Sequence, residues 1–500
     1  MPGLLSTSVL WVILAAGAGE PPSWMDVPRV VASNPEHFRT LLCGGHASML
    51  RIALIGDSQE TSPGGAGSSY VPNLNERFFR RHGFVGETVV MSNRGVGGGS
   101  PPADWLWRGA IASPSGPLSG IPESARLPNI TPRQHWAKSQ SGQAYGMIAM
   151  LLFDGSLTAD PLLPVEPYFD WAGADVRAEI LLATKPVSGG VSWKAMPQPA
   201  SVISYFVPST GSGELHPDLA SAGPIELRSA WTPPLNFDGK PYMQVELWGT
   251  STEATTEIIG LRYVDCGNHR GVVVQSLGST GARVRDLVAQ HGDSGWMFAG
   301  LGYHLAVLHF GVNDAALLIA PHEWKRDLVD AIAWIRASTN DPTFPIVIAG
   351  DVHRNQYTPA QQAAFDAQPG VAAEVAAEGA NLAAINLRRI TFEDLGWGPG
   401  NTPYLADFVH LNVAGQRTLA GVLSATLHSI GRTACDFNDD GVIDGGDLGL
   451  LLATWGPATH QSCLIGSDLD GNGVIDGADL GILLSAWTSA AGDPVAKDQR

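Results

Sequence analysis

The chain has 500 residues, of which 44% are hydrophobic and only 16% charged, with 59 glycines and 35 prolines. It is too long for one ordinary domain, and this composition favours a loop-rich α/β or β-containing extracellular protein over a helical bundle. The formal net charge of −18 repels phosphate backbones, so nucleic acid is not expected as a partner.

The first 18 residues have the features of a secretory signal peptide. An apolar run from Val9 to Ala16 leads into Ala16-Gly17-Ala18, an A-x-A-like cleavage site, although no Lys or Arg precedes the run. The alternative is a buried N-terminal strand or helix. No later stretch approaches the ~20 apolar residues that a membrane span needs. We therefore expect a secreted or cell-surface attached protein without a membrane span.

Four cysteines, Cys43, Cys266, Cys435 and Cys463, fit an oxidising compartment. Cys435 and Cys463 each lie shortly before an acidic loop, so a disulfide between them is one expectation, which would leave Cys43 for Cys266. Buried free thiols are the alternative.

The first clear element is the apolar run Met49 to Ile55, which predicts a buried strand ending in a sharp turn at Gly56-Asp57-Ser58. Residues 71–81 then have helical spacing. From about residue 105 to 262, short β-rich stretches alternate with turn residues, which predicts an inserted β-sandwich of jelly-roll type.

An α/β pattern resumes at Gly271 with the strand GVVVQ, a glycine turn and a helix. The strands LAVLHFG, PIVIAG and LAAINL follow, separated by helical stretches, one of which is expected to break at Pro369-Gly370. This alternation predicts a largely parallel sheet with helices on both faces. Sites in such sheets form at the carboxyl ends of strands, where Ser58, Gly281 and Asn313 fall.

Three short motifs offer the parts of a serine nucleophile system, which needs a base, an orienting carboxylate and oxyanion donors. Ser58 could be the nucleophile, although a Gly-Asp-Ser standing alone is more typical of a helix cap. Asn313, in Gly-Val-Asn-Asp, could donate to an oxyanion or simply end a strand in a turn. Asp407 and His410 could place a carboxylate beside an imidazole, or could belong to a helix start.

In this order, GDS at 56–58, GVND at 311–314 and DFVH at 407–410 resemble the first, third and last blocks of the SGNH (GDSL-like) hydrolase superfamily. The resemblance implies a flavodoxin-like three-layer α/β fold over residues 45–430 and serine esterase activity. It makes Ser58 the nucleophile and a backbone donor, Asn313 an oxyanion donor, His410 the general base and acid, and Asp407 its orienting carboxylate. No cofactor is implied for catalysis.

The family's second block supplies a glycine N–H to the oxyanion hole, and two segments could provide it. Gly95, within residues 93–97, lies at the usual distance from Ser58, whereas Gly281 follows a convincing strand and leads into a helix. The Gly281 arrangement also resembles esterases with a β-sandwich insert before this block, including peptidoglycan O-acetylesterase-like members. We prefer Gly281. Trp105 and Trp107 are expected to pack in the core rather than to stack on sugars.

The tail contains an internal repeat, in which DFNDDGVIDGGDLGLLLATWG at 436–456 recurs as DLDGNGVIDGADLGILLSAWT at 468–488. Each copy places oxygen ligands at positions 1, 3, 5, 9 and 12 and glycine at position 6, which is typical of calcium loops of the EF-hand type. These ligands are Asp436, Asn438, Asp440, Asp444 and Asp447, then Asp468, Asp470, Asn472, Asp476 and Asp479. The alternative is an acidic repeat that binds no metal.

Aspartate at position 12, two copies, and one helix after each loop make residues 435–488 resemble the dockerin type I module. The resemblance implies structural Ca²⁺ and a cohesin-like protein partner; a sorting or attachment tail is equally open. Residues 489–500 are expected to be disordered. The leading functional hypothesis is an esterase acting on acyl, most simply O-acetyl, groups of polysaccharide. A non-catalytic carbohydrate-binding protein and a lipase or thioesterase on longer acyl chains are the alternatives.

Overall fold

The structure is a computed structural model that describes residues 23–487 with gaps. The residues outside the description are 1–22, 60–69, 83–85, 92–121, 129–132, 136–146, 153–174, 185–188, 199–207, 220–222, 241, 251–255, 355–356, 399–400, 408, 431–434, 439–442, 460–465, 471 and 488–500. The signal-peptide, Gly95, Trp105, Trp107, Asp440, Cys463 and C-terminal-tail predictions fall on these residues. Among the described helices, none has the length and apolarity to cross a membrane.

The described strands, numbered along the chain, are β1 (Val30–Ala32), β2 (Met49–Gly56), β3 (Glu87–Met91), β4 (Arg133–His135), β5 (Met147–Leu152), β6 (Val176–Ala183), β7 (Val191–Gln198), β8 (Gly211–Leu215), β9 (Leu227–Trp231), β10 (Tyr242–Gly249), β11 (Thr256–Asp265), β12 (Gly271–Ser276), β13 (Leu305–His309), β14 (Ile346–Ala349), β15 (Leu382–Ile385), β16 (Gly456–Pro457) and β17 (Val474–Ile475).

The described α-helices are α1 (Pro35–Cys43), α2 (Val71–His82), α3 (Val284–His291), α4 (Gly295–Leu301), α5 (Val312–Ala316), α6 (Pro321–Thr339), α7 (Pro359–Glu378), α8 (Leu387–Leu395), α9 (Val413–His428), α10 (Gly445–Ala453) and α11 (Gly477–Ala486).

A six-stranded sheet of order β1-β15-β14-β13-β2-β12 lies at the centre of the α/β part. All its neighbouring strands are parallel except the edge strand β1, which runs antiparallel to β15. Counted along the chain, the five parallel strands have the order 2-1-3-4-5, which is the flavodoxin-like order. The prediction of an α/β fold with a parallel sheet is confirmed.

Helices cover both faces of this sheet because successive side chains of a strand point to opposite sides. Ala53 and Ile55 of β2 face one core, which also holds side chains of α3, α4, α6 and α7. Ile52 and Leu54 face the other core, built with α1, α2, α8 and α9. The result is the three-layer arrangement that the alternating pattern predicts.

Helix α7 is continuous, so the predicted break at Pro369-Gly370 is wrong. A proline inside a helix costs about 3 kcal/mol. Here Phe365, Ala372 and Val375 are all buried on one side of the helix, and their burial outweighs that cost. Gln368 also anchors the helix by donating to the carbonyl of Gly311 at 2.9 Å.

The sheet begins earlier than the predicted boundary at residue 45. Val30–Ala32 pairs with Leu382–Ile385, and Trp24 is buried against the rings of His353 and Phe392. The segment has only three residues, so its own pattern does not predict a strand. Its pairing partner β15 is the last strand of the sheet along the chain, so the pairing is not visible from neighbouring residues either.

Two antiparallel sheets form the inserted β region. One has the order β5-β10-β7-β8 and the other β3-β11-β6-β9, with β4 paired to β11. Their buried side chains share one core, to which β6, β7, β10 and β11 contribute. The insert runs from Glu87 to Asp265 rather than from about 105 to 262, because its first strand, β3, pairs with its last strand, β11.

The insert enters and leaves the α/β part at one narrow point. The N–H of Gly86 donates to the carbonyl of Arg270 at 2.8 Å, and the N–H of Asp265 donates to the carbonyl of Gly86 at 2.8 Å. A Cβ at position 86 would lie 2.5 Å from the carbonyl oxygen of Asn268, so only glycine fits. Since β12 starts at Gly271, this neck lies at the amino-terminal edge of the central sheet.

A buried carboxylate fastens the insert to the central sheet. Glu87 of β3 is fully buried and accepts hydrogen bonds from Arg51 of β2 at 2.6 and 2.8 Å. His269 lies 2.9 Å and Arg262 of β11 3.7 Å from the same carboxylate. Burial by itself would raise the pKa of Glu87, but the charge of Arg262 and the hydrogen bonds from Arg51 and His269 outweigh it and hold the pKa far below its ordinary value.

The predicted disulfide pairs are wrong. Cys43 is disulfide-bonded, whereas Cys266 and Cys435 are both free, so neither Cys43–Cys266 nor Cys435–Cys463 exists in the structure. Cys266 lies exposed in the turn after β11, while Cys43 is buried at the end of α1 beneath the central sheet. Cys435 is buried in the small core of the tail.

The tail repeat folds into two similar loop–helix units. Helices α10 and α11 follow the loops, and β16 pairs with β17 between them. Leu451, Ile475 and Leu483 are buried in a core of their own. One helix therefore follows each acidic loop, as the repeat predicts.

We predict that Glu87→Gln lowers the free energy of unfolding by about 3 kcal/mol at pH 7, because it removes the buried carboxylate that Arg51 and Arg262 share and leaves them the more peripheral Glu179, 3.4 Å from Arg262. The native carboxyl has a depressed pKa, so its contribution is present above its unfolded pKa and is lost as the pH falls below about 4. Urea unfolding at pH 7 and pH 3.5 measures both effects.

The matched control is Glu226→Gln, which removes an exposed partner of Arg228 at 2.7 Å. An exposed pair contributes at most about 1 kcal/mol. Equal destabilisation by the two substitutions would show that Glu87 does not fasten the insert.

Candidate active site

The candidate catalytic residues meet where the strand order of the sheet reverses. Strands β2 and β13 are neighbours, and His309 pairs in register with Gly56. Ser58 follows β2 by two residues and Asn313 follows β13 by four. In open parallel sheets, the crevice at such a reversal is where ligands bind, because the connections on either side lead away from it.

A continuous hydrogen-bond chain links Ser58, His410 and Asp407. The Nε2 atom of His410 lies 3.0 Å from Oγ of Ser58, and its Nδ1 atom lies 2.8 Å from Oδ2 of Asp407. Ser58 is buried, while His410 and Asp407 are partly open to solvent. This is the geometry that a nucleophile, a base and an orienting carboxylate require.

Asp407 is held as a carboxylate by the loop that carries it. Its Oδ1 accepts the backbone N–H groups of Val409 and His410 at 2.7 and 2.6 Å. Burial tends to raise its pKa, but these bonds and the His410 imidazole lower the pKa of Asp407 to about 2. A carboxylate that stays ionised can keep His410 in one tautomer and stabilise its protonated form.

Asn313 lies beside the nucleophile, in contact with Asp57. Its Nδ2 donates to Oδ2 of Asp57 at 3.2 Å and to the carbonyl of Ala282 at 3.0 Å. Both amide hydrogens are thus directed at protein acceptors, and the longer bond to Asp57 is the one that could be shared with an oxyanion.

Gly281 lies in a turn that is bonded to the Ser58 turn. The N–H of Leu277 donates to the carbonyl of Leu54 at 2.7 Å, and the N–H of Ser279 donates to the carbonyl of Gly56 at 3.1 Å. Gly281 itself has φ +76°, a left-handed conformation that favours glycine. The structure therefore places the Gly281 turn, Ser58 and Asn313 together.

Two side chains next to Ser58 were given no role by the sequence. Asp57 is buried; besides its contact with Asn313, its Oδ1 accepts the N–H of Gln59 at 2.9 Å. Gln59 donates from Nε2 to the carbonyl of Val409 at 3.1 Å. Together they tie the nucleophile turn to the oxyanion donor and to the Asp407–His410 loop. In the sequence, the feature that could have indicated a role for these two residues is that both are adjacent to Ser58.

Asp314, adjacent to Asn313, carries an unusual pKa. Burial raises the pKa of its carboxyl to about 7, against the N–H groups of Val284 and of Asp314 itself. Val284 begins α3, directly after the Gly281 turn. Asn313 and Asp314 therefore contact the two ends of the same short segment, residues 282–284.

Three histidines near the central strands, and Asp351, make structural contacts. His304 accepts the N–H of Arg51 on Nδ1 at 3.0 Å. His309 is buried with Nδ1 2.8 Å from the Tyr70 hydroxyl. His353 is buried, which lowers its pKa to about 3. Asp351, at the end of β14, is buried and accepts from Arg354 at 2.5 Å.

The position-12 aspartates organise both acidic loops in the same way. Oδ1 of Asp447 accepts the N–H groups of Phe437 and Asn438, and its Oδ2 accepts that of Asp444 at 2.9 Å. In the second loop, Oδ1 of Asp479 accepts the N–H groups of Leu469 and Asp470, and its Oδ2 that of Asp476 at 2.8 Å. The two copies of the repeat therefore share a hydrogen-bond pattern as well as a similar sequence.

The second loop gathers carboxylates closely enough for a cation. One oxygen each from Asp468, Asp470 and Asp479 lies within 4.8 Å of the others. Burial, followed by the charges of Asp479, Asp468 and Asp476, raises the pKa of Asp470. Hard oxygen donors in this arrangement fit a divalent cation of the calcium class.

Residues 251–418 match the model of the GDSL-like Lipase/Acylhydrolase family. This segment, about a third of the chain, is similar to the GDSL-like acylhydrolases. The matched segment contains Gly281, Asn313, Asp407 and His410 but not Ser58, which the fold brings to them from the other side of the insert. Curated protein sequences gave no match.

Several solved structures are similar to this chain. A peptidoglycan O-acetylesterase is 15% identical over 80% of this chain and 98% of its own, with a TM-score of 0.49. A family two carbohydrate esterase from Clostridium thermocellum, in complex with cellohexaose, is 9% identical over 60% of this chain and 94% of its own, with a TM-score of 0.27. A salicylyl-acyltransferase from a tetracycline biosynthetic pathway is 13% identical over 56% and 81%, with a TM-score of 0.25.

A pair of substitutions at Gly281 tests whether its N–H stabilises an oxyanion. We expect Gly281→Pro to lower kcat on an acyl ester by about 10²–10³-fold or more, because proline has no N–H to donate and its ring cannot adopt the φ of +76°. Gly281→Ala keeps the N–H, and its Cβ meets no atom within 4 Å, so only the positive φ is strained.

The alanine variant should lose less than about tenfold in kcat, consistent with about 1 kcal/mol of backbone strain. If Gly281→Ala is as inactive as Gly281→Pro while both fold, judged by circular dichroism, the lost N–H is not the cause and the oxyanion donor lies elsewhere.

Proposed function

We propose that this chain is a secreted serine esterase that hydrolyses acyl esters, most simply O-acetyl groups, on polysaccharide. The observation that carries the proposal is the chain Asp407–His410–Ser58, with contacts of 2.8 and 3.0 Å at the strand-order reversal of the central sheet. A non-catalytic binding protein would have no need to keep these three side chains in hydrogen-bond register.

In the proposed reaction, Ser58 Oγ attacks the ester carbonyl while Nε2 of His410 takes its proton. Asp407, ionised through its low pKa, stabilises the imidazolium that forms. Collapse of the tetrahedral intermediate returns the proton from His410 to the leaving alcohol and leaves an acyl-Ser58. Water, deprotonated by His410, then releases the acid by the same steps.

Three donors would hold the developing oxyanion: the N–H groups of Ser58 and Gly281 and the Nδ2 of Asn313. The Asn313 amide would turn its 3.2 Å bond from Asp57 toward the oxyanion while keeping its bond to the Ala282 carbonyl. Asp57 and Gln59 would act as positioning residues, since they touch the donor and the His410 loop rather than the substrate.

The polysaccharide part of the proposal depends on the parts of the chain outside catalysis. A predicted signal peptide directs the chain to where glycans are found. The two-sheet insert and the tail repeat are additions of the kind that bring an enzyme to an extended, immobile substrate. A small acyl group is the simplest substituent of such a polymer.

A lipase or thioesterase on longer acyl chains is the second candidate, and one observation favours it. Leu317 and Leu318, directly after the helix that carries Asn313, are 59% and 54% exposed, and Leu318 has φ +57°. Two exposed leucines at this edge could contact an acyl chain.

We also propose that the tail binds structural Ca²⁺ and docks onto a cohesin-like protein. Asp468, Asp470, Asn472, Asp476 and Asp479 would hold the ion in the second loop, and Asp436, Asn438, Asp440, Asp444 and Asp447 in the first. The ion would neutralise the clustered carboxylates. Leu452, Trp455 and Leu484 are each about half exposed on the tail and would suit a protein surface.

We expect Ser58→Ala to lower kcat on 4-nitrophenyl acetate at least about 10⁴-fold, because no other group supplies the nucleophile. Ser429→Ala, at the end of α9 and bonded only within that helix, is the matched control and should leave kcat unchanged. Comparing acetate with octanoate esters separates the two candidate functions. Equal activity of the Ser58 variant and the wild-type chain would overturn the assignment.

Chelation should affect the tail and not the reaction. With EDTA, limited proteolysis of the full chain should cut between residues 435 and 487, and excess Ca²⁺ should restore protection, because binding stabilises only the folded loops. Asp479→Ala should reproduce the effect of EDTA in Ca²⁺. Esterase kcat should stay constant throughout; loss of activity with an intact tail would contradict this division of roles.

A further inference from the structure

A groove separate from the catalytic residues lies between the α/β part and the insert. Its volume is about 590 Å³, within the range of small-ligand sites. Trp334 near the end of α6 and Trp296 of α4 line one side, and Pro224 and Ile225 of the insert line the other. Both helices lead into the amino ends of strands, so the groove is at the opposite edge of the sheet from Ser58.

The two tryptophans are held in fixed orientations. Nε1 of Trp296 donates to the carbonyl of Ala125 at 2.9 Å, and Nε1 of Trp334 donates to the carbonyl of Gly292 at 2.8 Å. Each indole N–H is therefore already satisfied, and both rings remain only half-buried. What these side chains offer a ligand is ring surface, presented without a cost in rotamer entropy.

The lining of the groove has few polar groups, and those that face a ligand are hydrogen-bond acceptors. Among the described lining residues, Asp293 is the one charged side chain, and it is exposed. Ser338 donates its hydroxyl to the carbonyl of Trp334 at 2.8 Å, which leaves its oxygen free to accept. With acceptors and no basic side chain, this lining does not suit an anion, whereas it suits a ligand with several hydroxyl donors.

We propose that this groove is a non-catalytic glycan-binding site that takes one or two pyranose rings of a polysaccharide. The C–H face of a pyranose is apolar and weakly positive, and it pairs with the negative face of an indole. The hydroxyls around the ring edge donate to the Asp293 carboxylate and the Ser338 oxygen. Naming a polysaccharide as the ligand rests on the proposed function; the groove itself does not.

A site at this edge would hold the polymer while Ser58 acts on another stretch of it. The groove is shared between two parts of the chain that the Arg51–Glu87 ion pair holds together, and Arg262 of the insert also donates to the carbonyl of Leu301 at the end of α4. The tryptophans and the insert wall therefore keep a fixed spacing without a ligand.

The test blocks the groove from an exposed position that should not affect folding. Ala337, exposed on α6, lines the groove, and Ala337→Arg would fill it. The matched control is Val329→Arg, which is 47% exposed on the same helix but lies about 12 Å away along its axis. Both are made in the full chain, with and without Ser58→Ala.

The proteins with Ser58→Ala are tested for binding to insoluble peptidoglycan, acetylated xylan and cellulose by depletion from solution. The proteins that keep Ser58 are assayed for hydrolysis of 4-nitrophenyl acetate. We expect Ala337→Arg to weaken binding to at least one polysaccharide by tenfold or more and Val329→Arg to change it by less than twofold. Neither should alter kcat on the small ester, which needs no groove.

Equal binding by the two arginine variants overturns the proposal, as does the absence of binding to all three polysaccharides. Quenching of tryptophan fluorescence by millimolar choline, with no polysaccharide binding, would instead make the tryptophans and Asp293 a site for an organic cation and would also overturn it. Failure of the esterase assay with groove-dependent binding intact would refute the proposed function and leave this site standing.

Discussion

The contact between His410 and Ser58 joins side chains 352 residues apart and depends on most of the fold. It requires β2 and β13 to be neighbours, so that Ser58 and Asn313 share one crevice, and it requires the return of the chain through β14 and β15 to bring residues 407–410 back to that crevice. A serine hydroxyl bonded to an imidazole needs both groups held in place, and Asp57 and Gln59 hold them through buried and partly buried hydrogen bonds.

The same constraint explains where the insert is tolerated. It interrupts the crossover between β2 and β12, and a single crossing point at Gly86 and Arg270 lets the whole of the insert leave and return without changing the spacing of the two strands. This neck lies at the amino-terminal edge, so the carboxyl edge with Ser58 keeps its geometry. The entropic cost of closing the chain around the insert grows only slowly with the length of the insert. Local contacts at the neck can therefore hold the insert in place, and the buried contacts of Glu87 with Arg51, His269 and Arg262 are of this kind.

The sequence alone predicts where the candidate site residues lie when they directly follow an apolar strand. Ser58, Gly281 and Asn313 each follow a run of buried residues, so the strands and the edge where they meet could be predicted together, and the tail repeat gave its two helices in the same way. The misses share one cause, which is pairing between distant segments. Val30–Ala32 and Glu87–Met91 are short strands defined by partners far along the chain. The disulfide pairs were inferred from the position of Cys435 and Cys463 before the acidic loops and, for Cys43 and Cys266, by elimination. The prediction of a helix break at Pro369 was wrong for a different reason, because burial of side chains on α7 outweighs the tendency of proline to break a helix.

The distribution of charge follows the division of the molecule. In the α/β part and the insert, several buried carboxylates are matched by arginines, as Glu87 is by Arg51 and Arg262, and Asp351 by Arg354. In the second tail loop, by contrast, the carboxylates of Asp468, Asp470 and Asp479 face one another, and the sequence has no Lys or Arg between positions 436 and 479. Like charges packed this closely destabilise a fold unless a cation joins them. The overall charge of −18 is therefore partly a property of the tail, and the central domain that carries Ser58 is electrostatically much closer to balance.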